Sequence, residues 1–237
     1  MLPLNVIFSA YRITFFLSFV AGFAVAMFHM KRHKVSTSFI LLSMLANLFA
    51  AIYGAKYFDV VMSGFRVSFV EAGLSAIGAA GGIICVTMLL SYIFQDFSRP
   101  MLEGYILALP LMYSIAKIGC YLTGCCHGVA YDGPFSVTYV DAILDELNGG
   151  PYFPVQLLES VVFLLLFAIG VLLARKGSSK LIWFLLFACA GARFLVEFLR
   201  GKEGYVLLSN TQILCILFIV VLAVVWGVKS RKLRDKR

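Results

Sequence analysis

The sequence predicts an all-α polytopic membrane protein: seven transmembrane helices, N-terminus outside, C-terminus cytoplasmic. Three observations predict it. Apolar residues make up 62% of the 237 residues and charged residues 14%, with a mean hydropathy of +0.95; a soluble chain of this size could not hide that much apolar surface. The apolar residues fall into seven runs, each near the roughly 20 residues a bilayer requires. Finally, the Lys and Arg residues alternate in density from one connection to the next, which sets orientation.

The first run, 4–30, is of full span length and lacks a small-residue cleavage site before the basic stretch 31–34, so it reads as a retained span. The second run, 36–57, follows that stretch, and the third, 69–95, opens at Glu71. On the third, Gly73, Gly78, Gly81 and Gly82 with Ala72, Ala76, Ala79 and Ala80 form a small-residue face, suited to helix packing or to making room for an acyl chain. The fourth, 101–124, follows Pro100; the others are 153–174, 180–200 and 208–228. With the N-terminus outside, the cytoplasmic segments 31–34, 96–100, 175–180 and the tail 229–237 hold 13 of the 20 Lys and Arg residues. A net charge of +8 built from such juxtamembrane runs points to anionic lipid rather than nucleic acid. The whole reads as a single domain spanning 1–237.

One connection differs from the others. From 125 to 152 there is no Lys or Arg, and there are four acids: Asp132, Asp141, Asp145 and Glu146. Phe135-Ser136-Val137-Thr138-Tyr139 alternates like a short strand, and Asn148-Gly149-Gly150-Pro151 reads as a turn. Long connections of this kind are often functional.

Charges inside the spans carry the functional argument, because each costs on the order of 2.5–3.5 kcal/mol at helix-centre depth. They are Arg12, Glu71, Lys117, Glu159, Arg193 and Glu197, accompanied by Gln156. At a rise of about 1.5 Å per residue, Lys117 lies roughly 10 Å below the outer end of its span, with Arg193 at similar depth. Arg193 and Glu197 are spaced i,i+4, and Glu197 and Arg200 i,i+3, so the three share a face, as do Gln156 and Glu159. The set falls in the outer half of the bilayer, whereas transporters place polar groups at the midplane. Polar pinning of helices would explain any one of these residues. Cations at headgroup depth suit a phosphate, and arginine offers it a bidentate fork.

Span four ends in Gly119-Cys120-Tyr121-Leu122-Thr123-Gly124-Cys125-Cys126-His127-Gly128. Adjacent cysteines followed by histidine do not match the usual paired-ligand zinc spacing, and no second cluster exists. A disulfide on the outer side, a thiol nucleophile paired with His127, and simple small-residue packing remain open. Cys85, Cys189 and Cys215 read as inert core, and His29 and His33 as solvated.

Taken together, these motifs resemble the prolipoprotein diacylglyceryl transferase family, in particular a branch with a Gly-Cys-Cys-x-Gly ending. Lys117 to Gly128 is similar to the family's Gly-Arg-x-Gly-Asn-Phe signature, and 135–139 to the segment that follows it. Phe153-Pro154-Val155-Gln156-Leu157-Leu158-Glu159 resembles His-Pro-x-Gln-Leu-Tyr-Glu. Arg193-Phe194-Leu195-Val196-Glu197-Phe198-Leu199-Arg200 is close to Arg-Phe-x-x-Glu-x-x-Arg, and Gln212 stands where a family Gln opens the last helix. The resemblance implies a bacterial plasma-membrane enzyme that transfers diacylglycerol from phosphatidylglycerol to a lipoprotein-precursor cysteine. It also implies roles. Arg193 would hold the lipid phosphate, Glu197 would orient it, and Lys117 would stand in for a family arginine. Gln156, Glu159 and Arg200, with Tyr11 and the signature glycines Gly119 and Gly128, would line the substrate site. His127, Tyr11 and Glu159 are the candidate bases, and no cofactor or metal is required. The departures are Lys117 for arginine, Cys120 for asparagine, Phe153 for histidine, and Ile77-Gly78-Ala79 where the family reads His-Gly-Gly. They leave a second reading, a lipid-binding or lipid-remodelling relative without thiol transfer.

Overall fold

The computed structural model describes residues 4–139, 147–201 and 208–234, with side chains from Tyr11 to Arg231 within those ranges. Asp141, Asp145, Glu146, Lys202 and the end of the basic tail at 235–237 lie outside the described residues. The helices are α1 (Leu4–Arg32), α2 (Thr37–Met62), α3 (Ala76–Ile93), α4 (Ser98–Thr123), α5 (Val155–Arg175), α6 (Leu181–Val196) and α7 (Asn210–Arg234). Seven helices among the described residues are long and apolar enough to cross a membrane. Two short strands, β1 (Val137–Thr138) and β2 (Pro151–Tyr152), pair antiparallel in the connection between α4 and α5. Of the strand expected over 135–139 only Val137–Thr138 is strand, Phe135 being a turn residue at φ +67°, and Pro151 opens the partner strand rather than closing the turn.

The helices group into two compact units, residues 20–109 and residues 1–19 with 110–237. In the first unit α2 and α3 meet backbone to backbone. A Cβ on Gly82 would lie 2.1 Å from the Ala50 carbonyl oxygen, and one on Gly78 would lie 2.3 Å from that of Gly54. The small-residue face is a packing face at these positions, while Gly81 has open space. Gly82→Ala is accordingly expected to cost about 1–3 kcal/mol by overpacking, seen as a lowered thermal midpoint in detergent. Gly81→Ala should be neutral or slightly stabilising, since alanine is the better helix former.

The same unit corrects four sequence expectations. Span three starts at Ala76, not near 69, because Ser75 caps it by accepting from the Gly78 amide at 3.4 Å. The preceding turn is held from α2: Lys56 donates to the carbonyls of Phe69, Val70 and Ala72, and Asp59 accepts from the Gly73 amide at 2.7 Å. Glu71 is thus exposed outside the helix, with hydrogen bonds from Ser68 holding its carboxyl below the usual range. His29 is buried rather than solvated, because Glu103 lies 3.3 Å from its Nε2 and is itself bound by Arg99 at 2.8 Å. Cys85 is exposed on α3 rather than in a core.

In the second unit α6 ends in a short 3-10 turn, Glu197–Leu199. The α4–α5 connection is stitched to that turn: Val129 donates to the Leu199 carbonyl at 3.0 Å, and Gly128 bridges Arg200. This brings the ends of α4 and α6 beside the beginning of α5.

Candidate active site

Glu159, in the second turn of α5, is the hub of the unit. Its carboxylate lies 2.8 Å from Lys117 Nζ, 3.2 Å from Arg200 Nη2 and 3.6 Å from Arg193 Nη1. It also accepts from the Tyr113 hydroxyl at 2.9 Å. Glu197 forms the second centre, 2.6 Å from Arg193 Nη1 and 3.7 Å from Arg200 Nε. The helical spacings read from the sequence do place these groups on one face, and α4, α5 and α6 each contribute. Glu159 is 0% exposed, Lys117 4% and Arg193 7%, so the ions are out of bulk water and their mutual attraction is large. Three cations face two carboxylates among the described residues, leaving one positive charge in excess. A buried network of that balance is complementary to an anion.

Gln156 joins the loop to this network. Its amide nitrogen donates to the Cys125 carbonyl at 2.8 Å and to the Tyr139 hydroxyl at 3.1 Å. Its Oε1 is buried without a hydrogen-bond partner among the described residues. Burial pushes the Tyr139 phenol upward against that hydrogen bond from Gln156, so it stays protonated near neutrality. Tyr139 packs with Leu147, Val137 and Tyr152 in the small core of the connection.

The remaining predicted residues take other places. Gly119 and Gly128 are sites of close approach: a Cβ on Gly119 would lie 2.1 Å from Thr14 Oγ1, and one on Gly128 would lie 2.3 Å from the Phe153 carbonyl oxygen. Tyr11 is half-buried and stacks on Phe15, with its ring beside Gly119. His127 turns back on its own loop, its Nδ1 2.9 Å from the Gly128 carbonyl oxygen and its ring against Tyr152. Arg12 is exposed and joins no ion pair among the described residues, so it stands apart from the cluster.

Two participants escaped sequence reasoning. Tyr113 carries no charge and looked like one of many span aromatics. Ser209 could have been found, since Ser209-Asn210-Thr211-Gln212 is a capping-box pattern. The Gln212 amide donates to Ser209 Oγ at 3.2 Å, and Gln212 Oε1 accepts from the Ser209 amide at 2.9 Å. Ser209 then donates to Glu197 at 2.8 Å, tying the start of α7 to the site.

Seven helices of membrane length among the described residues, with a buried, cation-rich polar centre, are the features of a polytopic membrane protein. The family model of prolipoprotein diacylglyceryl transferases matches residues 2–228. The chain belongs to that family, a family of transferases. A phosphatidylglycerol–prolipoprotein diacylglyceryl transferase of Dehalococcoides mccartyi is 30% identical over 165 residues, 65% of this chain and 62% of its own length. A protein of Clostridium perfringens, named phosphatidylglycerol–prolipoprotein diacylglyceryl transferase 2, is 26% identical over 190 residues, 75% of this chain and 69% of its own.

Proposed function

We propose that the protein is a plasma-membrane transferase that moves the diacylglyceryl group of phosphatidylglycerol to a cysteine thiol of a lipoprotein precursor, working at the extracytoplasmic leaflet. The observation that carries this reading is the single excess positive charge in the Lys117, Arg193, Arg200, Glu159 and Glu197 network. A phosphodiester brings the one negative charge that balances it.

The chemistry follows from that placement. The acceptor thiolate attacks the glyceryl carbon that bears the phosphate ester. As the carbon–sulfur bond forms, the carbon–oxygen bond breaks, and glycerol phosphate leaves with the electron pair. Charge grows on the departing phosphate, and fixed cations aimed at it lower the barrier. Arg193 and Lys117 are those cations, with Arg200 beside them. Glu197 fixes the rotamer of Arg193 through the contact at 2.6 Å. The unpartnered Gln156 Oε1 suits a head-group hydroxyl, which would supply its missing donor. Glu159 holds three cations and a phenol, so its role is to position rather than to take a proton.

The test is incubation of the purified protein with vesicles containing phosphatidylglycerol labelled in its acyl chains and a peptide carrying the precursor cysteine. Label should appear on the peptide, with glycerol phosphate released in equal amount, and not on the same peptide with serine in place of cysteine. Lipid bound tightly with no labelled peptide would instead establish a lipid-binding relative.

A further inference from the structure

Among the described residues, two of the three candidate bases are already committed. Glu159 is saturated with cations, and His127 is engaged by its own loop. A second cluster stands at the end of α4. The thiols of Cys120, Cys125 and Cys126 all lie within 4.8 Å of one another, and all three cysteines are free. Three sulfurs on one zinc-like ion at about 2.3 Å would sit roughly 3.8 Å apart, a spacing that falls inside the 4.8 Å within which the fold gathers them.

The backbone is shaped to make this cluster. Cys120 is on the helix, and Cys125 and Cys126 lie beyond its end, so sequence spacing alone does not bring them together. The chain turns back through Gly124 at φ +71° and Cys126 at φ +57°. A non-glycine residue in the left-handed region is uncommon and strained, and such strain gathers at functional sites. The hydroxyl of Thr123, fully buried, lies 3.4 Å from Cys125 Sγ and also reaches the carbonyls of Gly119 at 3.1 Å and Cys120 at 3.3 Å, which ties the thiol to the end of α4. Cys125 is also anchored from α5, since Gln156 donates to its carbonyl. Cys126 is the exposed residue of the three, its thiol is close enough to Lys117 and Arg200 to feel their charge, and His127 is not part of the cluster.

We propose that Cys120, Cys125 and Cys126 bind a divalent zinc-class ion whose open fourth position takes the acceptor's cysteine as a thiolate. This rests on the transferase reading and supplies what that reading lacks. A thiol bound to such an ion is deprotonated outright, and the thiolate is the form that attacks carbon. The proton passes to water when the sulfur ligates. The metal-held sulfur then forms its bond to the glyceryl carbon as the phosphate ester bond breaks. The thioether product is a poorer ligand and leaves. Three protein ligands with one position kept for substrate is the arrangement of catalytic rather than structural zinc.

The experiment uses the purified full-length protein, reduced and stripped of metal, titrated with Co²⁺ and separately with Zn²⁺. One ion per chain is expected, with a thiolate-to-cobalt charge-transfer band. Cys120→Ser, Cys125→Ser and Cys126→Ser should each lower the affinity at least tenfold, and Cys189→Ser should not change it. Adding the cysteine peptide should strengthen the band in proportion to a fourth thiolate, and the serine peptide should leave it unchanged. Should a serine variant fail to fold, alkylating the exposed Cys126 in the folded wild type reads the same loss. No metal bound by fully reduced protein, or a disulfide within the trio as isolated, overturns the site. Metal bound with no response to the cysteine peptide overturns its role in activation. These readouts need no lipid, so they fail separately from the labelled-lipid assay, whose failure alone would remove only the transferase reading.

Discussion

Arg193→Ala is expected to lower the rate of diacylglyceryl transfer by about 10²–10³-fold, the loss typical of removing one aimed donor from an anion-stabilising site. The effect should fall on kcat more than on KM, because the charge Arg193 meets grows as glycerol phosphate departs. Arg193→Lys should recover only part of it. Lysine keeps the charge but not the planar fork that meets a phosphate through two parallel bonds, and here Nη1 alone faces both Glu159 at 3.6 Å and Glu197 at 2.6 Å. Steady-state transfer of labelled lipid to peptide, set beside lipid binding measured without acceptor, separates the two parameters. Equal loss of binding and turnover in both variants would make Arg193 a binding residue with no part in the chemical step.

What the sequence disclosed follows a physical divide. Apolar runs of bilayer length declare themselves, because lipid leaves no other way to satisfy so much apolar surface and backbone. Each predicted run overlaps one helix, and turn-by-turn spacing was enough to place Arg193, Glu197 and Arg200 together. Spacing says nothing about which helix will supply the counter-charge from across the bundle, so the central place of Glu159 could not be read. It looked like one residue lining a site and is the group that all three cations share. The start of α3 was misplaced for a local reason. Residues near 69 are apolar enough to extend the run, but the Ser75 cap and the hold of Lys56 on three carbonyls stop the helix at Ala76. His29 was misjudged because its partner, Glu103, is 74 positions away. The three cysteines stood out in the sequence, but ligand spacing argued against a metal there, because spacing does not anticipate a chain turned back through two left-handed residues.

Glu159→Gln should be the most destabilising of the conservative changes at the site. The substitution keeps volume and hydrogen-bonding capacity but deletes the only charge that Lys117, Arg193 and Arg200 have in common. Removing one partner of a buried ion pair costs about 3–5 kcal/mol, mainly because the other charge stays buried without compensation. Here three such charges would be left with Glu197 alone. Lys117 has no second carboxylate among its ion pairs, so it bears the largest share of that loss. The double substitution Glu159→Gln with Lys117→Met tests this directly. It removes the stranded ammonium together with its partner, and the thermal midpoint should rise above that of Glu159→Gln alone, with a coupling energy of about 1–3 kcal/mol between the two positions. Transfer activity should not return with it, since Lys117 is also one of the cations that meet the phosphate. Additive losses in stability would show that Lys117 and Glu159 act separately, contrary to their separation of 2.8 Å.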